Sequence, residues 1–245
     1  MTIHIFNVFT CDARPPSKLR TGMVCTLVET DRGPVLIDTG PGLEDYARPH
    51  WMMKLFRRLF LTPMDPQEAA VNGIRQLGYK PEDVRHIVLT HMHFDHCGGL
   101  PDFPRASVHV HRREYEAFTA GMRRWTDMAY IRRHIARVPE WALYDTGEEQ
   151  WYEFPAIRLP FEPEMWLVPL HGHSRGHCGV AVKTDAGWYF NAADAGAVYN
   201  DTTPAWLIRL VLGPHDARLR TFMHAHPEVL MCNSHMVPEF FAGEK

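Results

Sequence analysis

Three histidines and one aspartate lie within the six-residue stretch HMHFDH at positions 91–96, directly after a short apolar run. Because side chains alternate between the two faces of a strand, His91 and His93 can project the same way. Asp95 and His96 follow within reach of a second point nearby. Imidazole and carboxylate ligands suit zinc and similar divalent metals, and two such ions close together can stabilise a hydrolytic transition state. The stretch is therefore a candidate for the site of chemistry.

A solvated, histidine-rich loop is the alternative interpretation, because the chain has 16 His and some will cluster by chance. An isolated His-x-His pair carries little information. The full H-x-H-x-D-H pattern, preceded by a strand-like run and followed by Gly98 and Gly99, is much more specific. It favours a metal site, provided that further ligands occur downstream.

Three later apolar runs each end in a potential ligand, at His173, Asp194 and His235. The first run continues into the motif Gly-His-Ser-Arg-Gly-His at 172–177. In this order, the motifs resemble those of the metallo-β-lactamase fold superfamily of metallohydrolases. The resemblance covers residues 33–235 and is greatest to the dinuclear branch that contains N-acyl homoserine lactonases and glyoxalase II-like thioesterases.

The resemblance implies two divalent metal ions per chain, most typically zinc, with iron, manganese or cobalt as alternatives. It implies one ion held by His91, His93 and His173, and a second held by Asp95, His96 and His235. Asp194 would bridge the two ions, which hold a hydroxide as the nucleophile. Asp194 and Asp95 are then catalytic residues, Asp95 by relaying a proton. The resemblance also implies supporting roles for two other side chains: His177 holds its loop and Asp38 orients a histidine ligand.

The same resemblance implies an α/β fold, an αββα sandwich in which two mixed β-sheets are flanked by helices. Ligands spread from position 91 to 235 must be brought together by one fold, so we expect residues 1–245 to form a single domain. A hydrophobic content of 45% is sufficient for a sizeable core. We expect a lid or dimer-contact insertion around 45–65 and a helical insertion around 112–141.

Local patterns predict individual elements of this fold. Alternating apolar runs predict strands over 3–9, 23–29 and 35–38. Asp65 and Pro66 are a typical helix start, which predicts a helix that ends at Gly78. Residues 112–136 are predicted to be mostly helical, with a break near Gly121.

The segment 49–63 interleaves large apolar residues with Lys54, Arg57 and Arg58. A helix packed on its own domain is the commonest reason for such a stripe. In lactonase-like relatives the region covers the site, lines an acyl pocket or forms a dimer contact, so a homodimer is one expectation. A basic amphipathic helix that touches a membrane surface ranks third. The candidate substrate-binding residues of this segment are Trp51, Met52 and Phe56.

Two positions depart from the lactonase pattern. Homoserine lactonases tend to place tyrosine three residues after the bridging aspartate, where this chain has Ala197. Tyr199 is a candidate replacement in catalysis and substrate binding, and an ordinary loop tyrosine is the alternative. Many lactonases also have aspartate where this chain has Met236.

The predicted function is hydrolysis of a lactone, such as an N-acyl homoserine lactone, or a related ester. A glyoxalase II-like thioesterase is the main alternative, followed by a non-catalytic metal-binding sensor or scaffold.

The formal net charge of −3 gives no long-range attraction to nucleic acid or to an anionic membrane. No apolar run is long enough to cross a bilayer, so the expected partner is a small-molecule substrate, without nucleic acid or stable membrane association. The N-terminal stretch lacks the basic region of a signal peptide, which predicts a cytoplasmic location.

The five cysteines are odd in number and widely spaced, so they do not indicate a disulfide framework. Cys97 and Cys178 each directly follow a motif histidine. A metal ligand, a redox-sensitive thiol and a small buried residue beneath the site are the three interpretations, of which the last is the commonest.

Overall fold

Two mixed β-sheets form the centre of the molecule in the computed structural model, which describes residues 2–12, 21–196 and 204–235. The first sheet has six strands in sequence order: β1 (Ile3–Thr10), β2 (Gly22–Thr30), β3 (Gly33–Ile37), β4 (His86–Val88), β5 (Ser107–His111) and β6 (Glu140–Tyr144). Strands β1 to β3 are antiparallel, and β3 to β6 are parallel. The three predicted N-terminal strands are therefore present, each with one or both ends shifted by one or two residues.

The second sheet contains five strands, after a short ribbon of β7 (Gln150–Trp151) and β8 (Phe154–Pro155). They are β9 (Ile157–Arg158), β10 (Met165–Pro169), β11 (Cys178–Thr184), β12 (Gly187–Asn191) and β13 (Val229–Cys232). β12 pairs in parallel with β13 and antiparallel with β11, which is also antiparallel to β10. Strands β10, β12 and β13 thus run in one direction, and their carboxyl ends lie at the same edge of the sheet.

The helices are α1 (Leu43–Ala47), α2 (Trp51–Leu59), α3 (Ala70–Gln76), α4 (Phe94–Cys97), α5 (Arg112–Thr119), α6 (Ala205–Leu212) and α7 (Asp216–Ala225). Ile74 of α3 and Phe118 of α5 belong to the apolar cluster on the outer face of the first sheet. Phe222 of α7 packs on the outer face of the second sheet. The resulting layers are helix, sheet, sheet and helix, so the predicted αββα sandwich is confirmed.

The two sheets pack face to face through alternate apolar side chains of their strands. Val28, Ile37 and Val88 of the first sheet share a buried cluster with Leu167 and Val180 of the second. A hydrogen bond of 2.8 Å between the hydroxyls of Thr26 and Tyr189 also crosses this interface. Because both hydroxyls are buried and partnered, the hydrogen bond offsets the cost of their desolvation.

Two helix predictions are wrong in part. The predicted helix at 66–78 is interrupted at Ala69, where ψ of 135° separates a 3₁₀ turn (Pro66–Glu68) from α3. The interruption lets Glu68 accept hydrogen bonds from the backbone and hydroxyl of Thr10. The predicted break near Gly121 is present, but 3₁₀ turns follow it instead of an α-helix. Asp127 causes this, because its carboxylate accepts the backbone N–H of both Arg123 and Arg124 and caps a new turn.

None of the helices in the described ranges combines the length and the apolar character needed to span a bilayer. The cytoplasmic location stays a prediction, as do the domain limits and the two insertions.

Candidate metal centre

The predicted ligands follow the carboxyl ends of four strands. The HMHFDH stretch follows β4, His173 follows β10, Asp194 follows β12 and His235 follows β13. Parallel strands of one sheet deliver the loops that follow them to the same edge, and the sandwich places β4 of the first sheet against the second sheet. The fold thus brings all seven predicted ligands together.

Three histidines form the first cluster, and their ring nitrogens converge on one point. The candidate ligand atoms of His91, His93 and His173 all lie within 4.8 Å of one another. Nε2 of His173 is 3.0 Å from Nδ1 of His93. His91 is completely buried, and the other two are nearly so. This is the set that the family resemblance assigned to the first metal.

The second cluster consists of Asp95, His96 and His235, whose candidate ligand atoms also lie within 4.8 Å of one another. Asp194 lies between the clusters. Its Oδ2 is 3.4 Å from Nε2 of His173, 3.5 Å from Nε2 of His96 and 3.2 Å from Nε2 of His235. A carboxylate that reaches imidazoles of both clusters has the position predicted for the bridging ligand.

Hydrogen bonds on the outer side of the rings orient four of these histidines. In each case Nδ1 lies close to an acceptor, so that an Nδ1–H can donate outward while Nε2 faces the cluster. The pairs are His91 with the Thr90 hydroxyl at 3.1 Å, His96 with Asp38 at 2.9 Å, His173 with the Val211 carbonyl at 2.8 Å and His235 with the Gly22 carbonyl at 3.0 Å.

Several inward-facing atoms have no hydrogen-bond partner within the described part of the chain. They include Nε2 of His91, Nε2 of His96 and Oδ1 of Asp194, all buried. A buried polar atom without a partner costs about 1–3 kcal/mol, so such atoms are rarely left unsatisfied without a functional reason. Imidazole and carboxylate donors around one small volume fit two borderline divalent cations such as zinc.

The electrostatics of the cluster match this donor set. Burial and the neighbouring histidines hold the pKa of His91 and of His93 well below the usual value, so both rings are neutral lone-pair donors. Burial alone would raise the pKa of Asp194, but His235 and His96 hold it well below its usual range. Burial would likewise lower the pKa of His235, which Asp194 raises to about 9. The Asp194 carboxylate is therefore ionised, and its negative charge raises the pKa of the neighbouring His235.

Two supporting residues have the positions that the sequence predicted. Asp38, in a left-handed backbone conformation with φ of 57°, accepts the backbone N–H and hydroxyl of Thr90 and orients His96. His177 accepts the backbone N–H of Asp194 at 3.1 Å and so holds the loop that carries the bridging carboxylate. Strained backbone is often found at functional sites, where surrounding contacts maintain it.

Residues 22–184 match the protein family described as the Metallo-beta-lactamase superfamily. The chain belongs to this superfamily. Probable metallo-hydrolases of Mycobacterium bovis and Mycobacterium tuberculosis are each 39% identical to it over 172 residues, which are 69% of this chain and 55% of theirs. An N-acyl homoserine lactonase of Bacillus cereus is 30% identical over 172 residues, 70% of this chain and 62% of the lactonase. The chain thus spans little more than half the length of the curated relatives it matches.

Solved lactonase structures share the superfamily fold with this chain. AiiA of Bacillus thuringiensis, with N-decanoyl-L-homoserine at its active site, superposes with a TM-score of 0.69 at 22% identity, covering 98% of this chain and 95% of AiiA. AidC, a dizinc quorum-quenching lactonase, superposes with a TM-score of 0.57 at 18% identity, covering 89% and 73%. At these identities the likeness establishes the fold alone.

Glu114 is a residue of this superfamily member that the sequence motifs did not reveal. Its completely buried carboxylate accepts four hydrogen bonds. Oε1 accepts the backbone N–H of Met92 at 2.9 Å and the hydroxyl of Tyr130 at 3.0 Å. Oε2 accepts the hydroxyl of Ser174 at 2.7 Å and the backbone N–H of Gly176 at 2.8 Å. One side chain thus joins the loop of His91 and His93 to the loop of His173. In the sequence it is only an acidic residue in a first helical turn, which is common.

Cys97 and Cys178 are both completely buried beside the centre, as the packing interpretation predicted. Burial raises the pKa of both thiols well above the usual value, so neither is a reactive thiolate. Among the described residues, the groups that could hold a metal ion contain no cysteine.

A groove of ≈ 420 Å³ lies near the first cluster, although none of the seven predicted ligands lines it. Trp51 and Tyr130 are among its lining residues, and the Tyr130 ring lies 5.2 Å from that of His93. Of the other predicted substrate-binding residues, Met52 is half-buried, and Phe56 packs inward with its ring 5.9 Å from that of Phe94. Tyr199, like Ala197 and Met236, lies outside the described residues.

Proposed function

We propose that the protein is a dinuclear metal-dependent hydrolase that opens a lactone, such as an N-acyl homoserine lactone, or a related ester. The single observation that carries this proposal is the position of Asp194, whose Oδ2 lies within 3.2–3.5 Å of imidazoles from both histidine clusters. A bridging carboxylate between two ligand sets is the arrangement that a two-metal hydrolase needs.

Two divalent ions bound at these clusters would supply a hydroxide nucleophile and Lewis-acid polarisation of the substrate carbonyl. The residues of the chain have separate tasks. The outward hydrogen bonds of four histidines keep each Nε2 aimed at the site without rearrangement. Asp194 keeps its negative charge because His235 and His96 stabilise it.

Ring opening forms a bond from a water oxygen to the acyl carbon and breaks the bond from that carbon to the ring oxygen. One proton must move from the attacking water to the departing alkoxide. We assign this transfer to Asp95, whose Oδ2 lies 3.7 Å from Nε2 of His235 at the rim of the second cluster. A carboxylate in this position can accept the proton from one side and release it to the other.

The groove beside His93 supports an acylated substrate. Its volume is within the range of small-molecule sites, and its walls include the apolar side chains of Trp51, Met128 and Ile131. The acyl chain would lie in the groove while the lactone carbonyl reaches the metal centre next to Tyr130. The complex of AiiA with N-decanoyl-L-homoserine is a precedent in a related fold.

The decisive experiment combines metal analysis with a substrate panel. We expect two zinc ions per chain, and hydrolysis of lactones of graded acyl length. Iron, manganese or cobalt in the purified protein would change the metal assignment but not the mechanism. Asp194→Asn should lose metal and reduce hydrolysis by at least a thousandfold, whereas Asp145→Asn, at an exposed pair with Arg112, should do neither. Full metal occupancy without turnover of any lactone, thioester or phosphodiester would refute the proposal and favour a sensor or scaffold.

A glyoxalase II-like thioesterase is the second candidate, because Ala197 and Met236 replace residues that are usual in homoserine lactonases. The metal centre serves either reaction, since only the leaving group differs. A kcat/KM for acyl-glutathione thioesters above that for every lactone tested would decide for the thioesterase.

A further inference from the structure

The exposed large apolar side chains are concentrated in two segments, residues 48–63 and 121–139. Of ten such side chains in the described ranges, seven belong to these segments: Trp51, Leu55, Leu59, Leu61, Met122, Trp125 and Met128. Trp51 and Trp125 are 54% and 55% exposed. Large apolar side chains that remain together on a surface usually mark an interaction site.

On helix α2, the exposed apolar side chains lie on a different side from those that pack on the domain. Trp51, Leu55 and Leu59 are four residues apart, so they form one stripe along the helix, and all three are exposed. Met53 and Phe56 lie on the opposite side and pack into the buried clusters. The helix therefore has two apolar faces, and its packing on the domain explains only one of them.

The two segments form one continuous surface, which we call the basic apolar face. Trp51 from the first segment and Met122 and Met128 from the second line the same groove. A guanidinium nitrogen of Arg133 also donates to the carbonyl oxygen of Arg48 at 2.9 Å.

The face is strongly basic in a protein whose formal net charge is −3. The one acidic residue in the two segments, Asp127, is buried and forms an ion pair with Arg175. The same two segments contain nine of the 26 Lys and Arg residues of the chain, of which Arg133 is paired with the buried Asp45: Arg48, Lys54, Arg57, Arg58, Arg123, Arg124, Arg132, Arg133 and Arg137. Positive charge and exposed tryptophans thus occur on the same face, although the rest of the chain is acidic.

We propose that the basic apolar face docks reversibly on an anionic lipid surface. Tryptophan and leucine side chains between lysines and arginines have the chemistry of an interfacial membrane contact, in which apolar groups enter the headgroup region and the cations meet anionic lipids. A second copy of the chain fits the face less well, because a two-fold contact places the same basic patch against itself. A nucleic acid would satisfy the cations but not the exposed leucines and methionines.

Docking would turn the groove beside His93 towards the lipid, from which an acylated substrate can enter. The proposal concerns binding alone and does not depend on the proposed hydrolysis.

Vesicle sedimentation of the full-length, metal-loaded protein tests the electrostatic part. We expect binding to phosphatidylcholine vesicles in which about a third of the lipid is phosphatidylglycerol, little binding to phosphatidylcholine alone, and release by salt. The double variant Arg123→Gln/Arg124→Gln should weaken binding about 30-fold, since each basic side chain near an anionic surface contributes about fivefold. The matched control, Arg85→Gln/Arg105→Gln, removes two exposed arginines outside the face and should bind as the parent protein does.

A second pair of variants tests the apolar part. Leu59→Gln/Trp125→Gln should weaken vesicle binding and reduce the blue shift of tryptophan fluorescence, whereas Trp206→Gln/Leu210→Gln, equally exposed on α6, should change neither. Circular dichroism confirms that each variant is folded. The proposal is overturned by equal or absent binding to both kinds of vesicle. It is also overturned if the face instead mediates concentration-dependent dimerisation in light scattering, or binds duplex DNA but not vesicles.

Discussion

The buried carboxylate of Glu114 accepts the backbone N–H of Met92 at 2.9 Å, and Met92 is the residue between two candidate metal ligands. The other carboxylate oxygen accepts the backbone N–H of Gly176, three residues after His173. Backbone N–H groups cannot reverse their polarity as hydroxyls can. The position therefore requires an acceptor on both sides, and a carboxylate is the side chain that provides it.

This geometry predicts that Glu114→Gln will weaken metal binding nearly as much as Glu114→Ala does. In either orientation the glutamine amide places an NH₂ group against a backbone N–H, so one of the two loops must move. We expect the affinity of the first site to fall about 10–100-fold, as for other residues that orient metal ligands. Competition with a chelator during metal loading measures this affinity independently of hydrolysis.

The control for the Glu114 variants is Asp102→Asn, which changes a carboxylate that accepts the backbone N–H of Leu43. It should leave metal affinity unchanged. Full metal affinity in Glu114→Gln would show that Glu114 only fills space and does not position the ligand loops.

Asp38 orients a candidate ligand of the second metal site, as Glu114 positions the ligand loops of the first. Its Oδ2 accepts from Nδ1 of His96, and its Oδ1 accepts the backbone N–H of Thr90. In Asp38→Asn, the amide oxygen can satisfy only one of these donors. If it stays with Thr90, the NH₂ group faces His96 and favours the tautomer whose proton is on Nε2, where the metal should bind. We expect the second metal to be lost preferentially, with about 10–100-fold lower affinity. Metal content at a series of chelator concentrations measures this, and loss of both metals in parallel would contradict the separate assignment of Asp38.

The candidate metal ligands were predictable because each lies just after an apolar strand, where the strand end fixes the position of the next side chains, and because the motifs resemble those of a known family. His91 and Asp194 are examples of such short-range information. Glu114 was not predictable in this way, because its partners are the backbone groups of two distant loops, which leave no pattern in the sequence. The break at Ala69 depends on Glu68 contacting Thr10, and such tertiary contacts override local helix propensity. The stripe of α2 was predicted, but its exposure was left open among several interpretations, because an apolar helix face has the same pattern whether it is buried or exposed.

The buried His109, which contacts the half-buried His86, predicts that stability declines in mild acid. His109 is buried, with Nε2 3.1 Å from Nδ1 of His86 and Nδ1 2.7 Å from the Tyr144 hydroxyl. Burial, followed by the neighbouring His86, lowers the pKa of His109 to about 4. In the unfolded chain a histidine has a pKa of about 6.5. Between about pH 6.5 and 4 the unfolded chain therefore binds a proton that the folded chain does not. The free energy of unfolding should fall through this window, by about 1–3 kcal/mol for this residue.

Urea denaturation of the metal-free protein at several pH values measures this dependence without competition between protons and metal. His109→Gln should be less stable than the parent at pH 7, because it disturbs a buried hydrogen-bond chain. It should nevertheless lose less stability between pH 6.5 and 4 than the parent does. His224→Gln, at an exposed position on α7, serves as the control and should follow the parent curve. Equal slopes for the parent and His109→Gln would contradict the assignment.

The groove predicts how the acyl length of a lactone substrate affects turnover. Trp51 lines the groove and adjoins its apolar walls, so its ring should cover the distal part of a long acyl chain. Loss of that contact in Trp51→Ala should lower kcat/KM for a decanoyl lactone about tenfold to a hundredfold, which corresponds to the burial of one large apolar side chain. The change should appear in KM, because the ring contacts the substrate equally before and during the reaction.

A butanoyl lactone, too short to reach Trp51, should be hydrolysed as by the parent protein. Leu61→Ala removes another exposed side chain that does not line the groove, and it should affect neither substrate. A uniform loss on both lactones, or a loss in kcat alone, would place the acyl chain elsewhere.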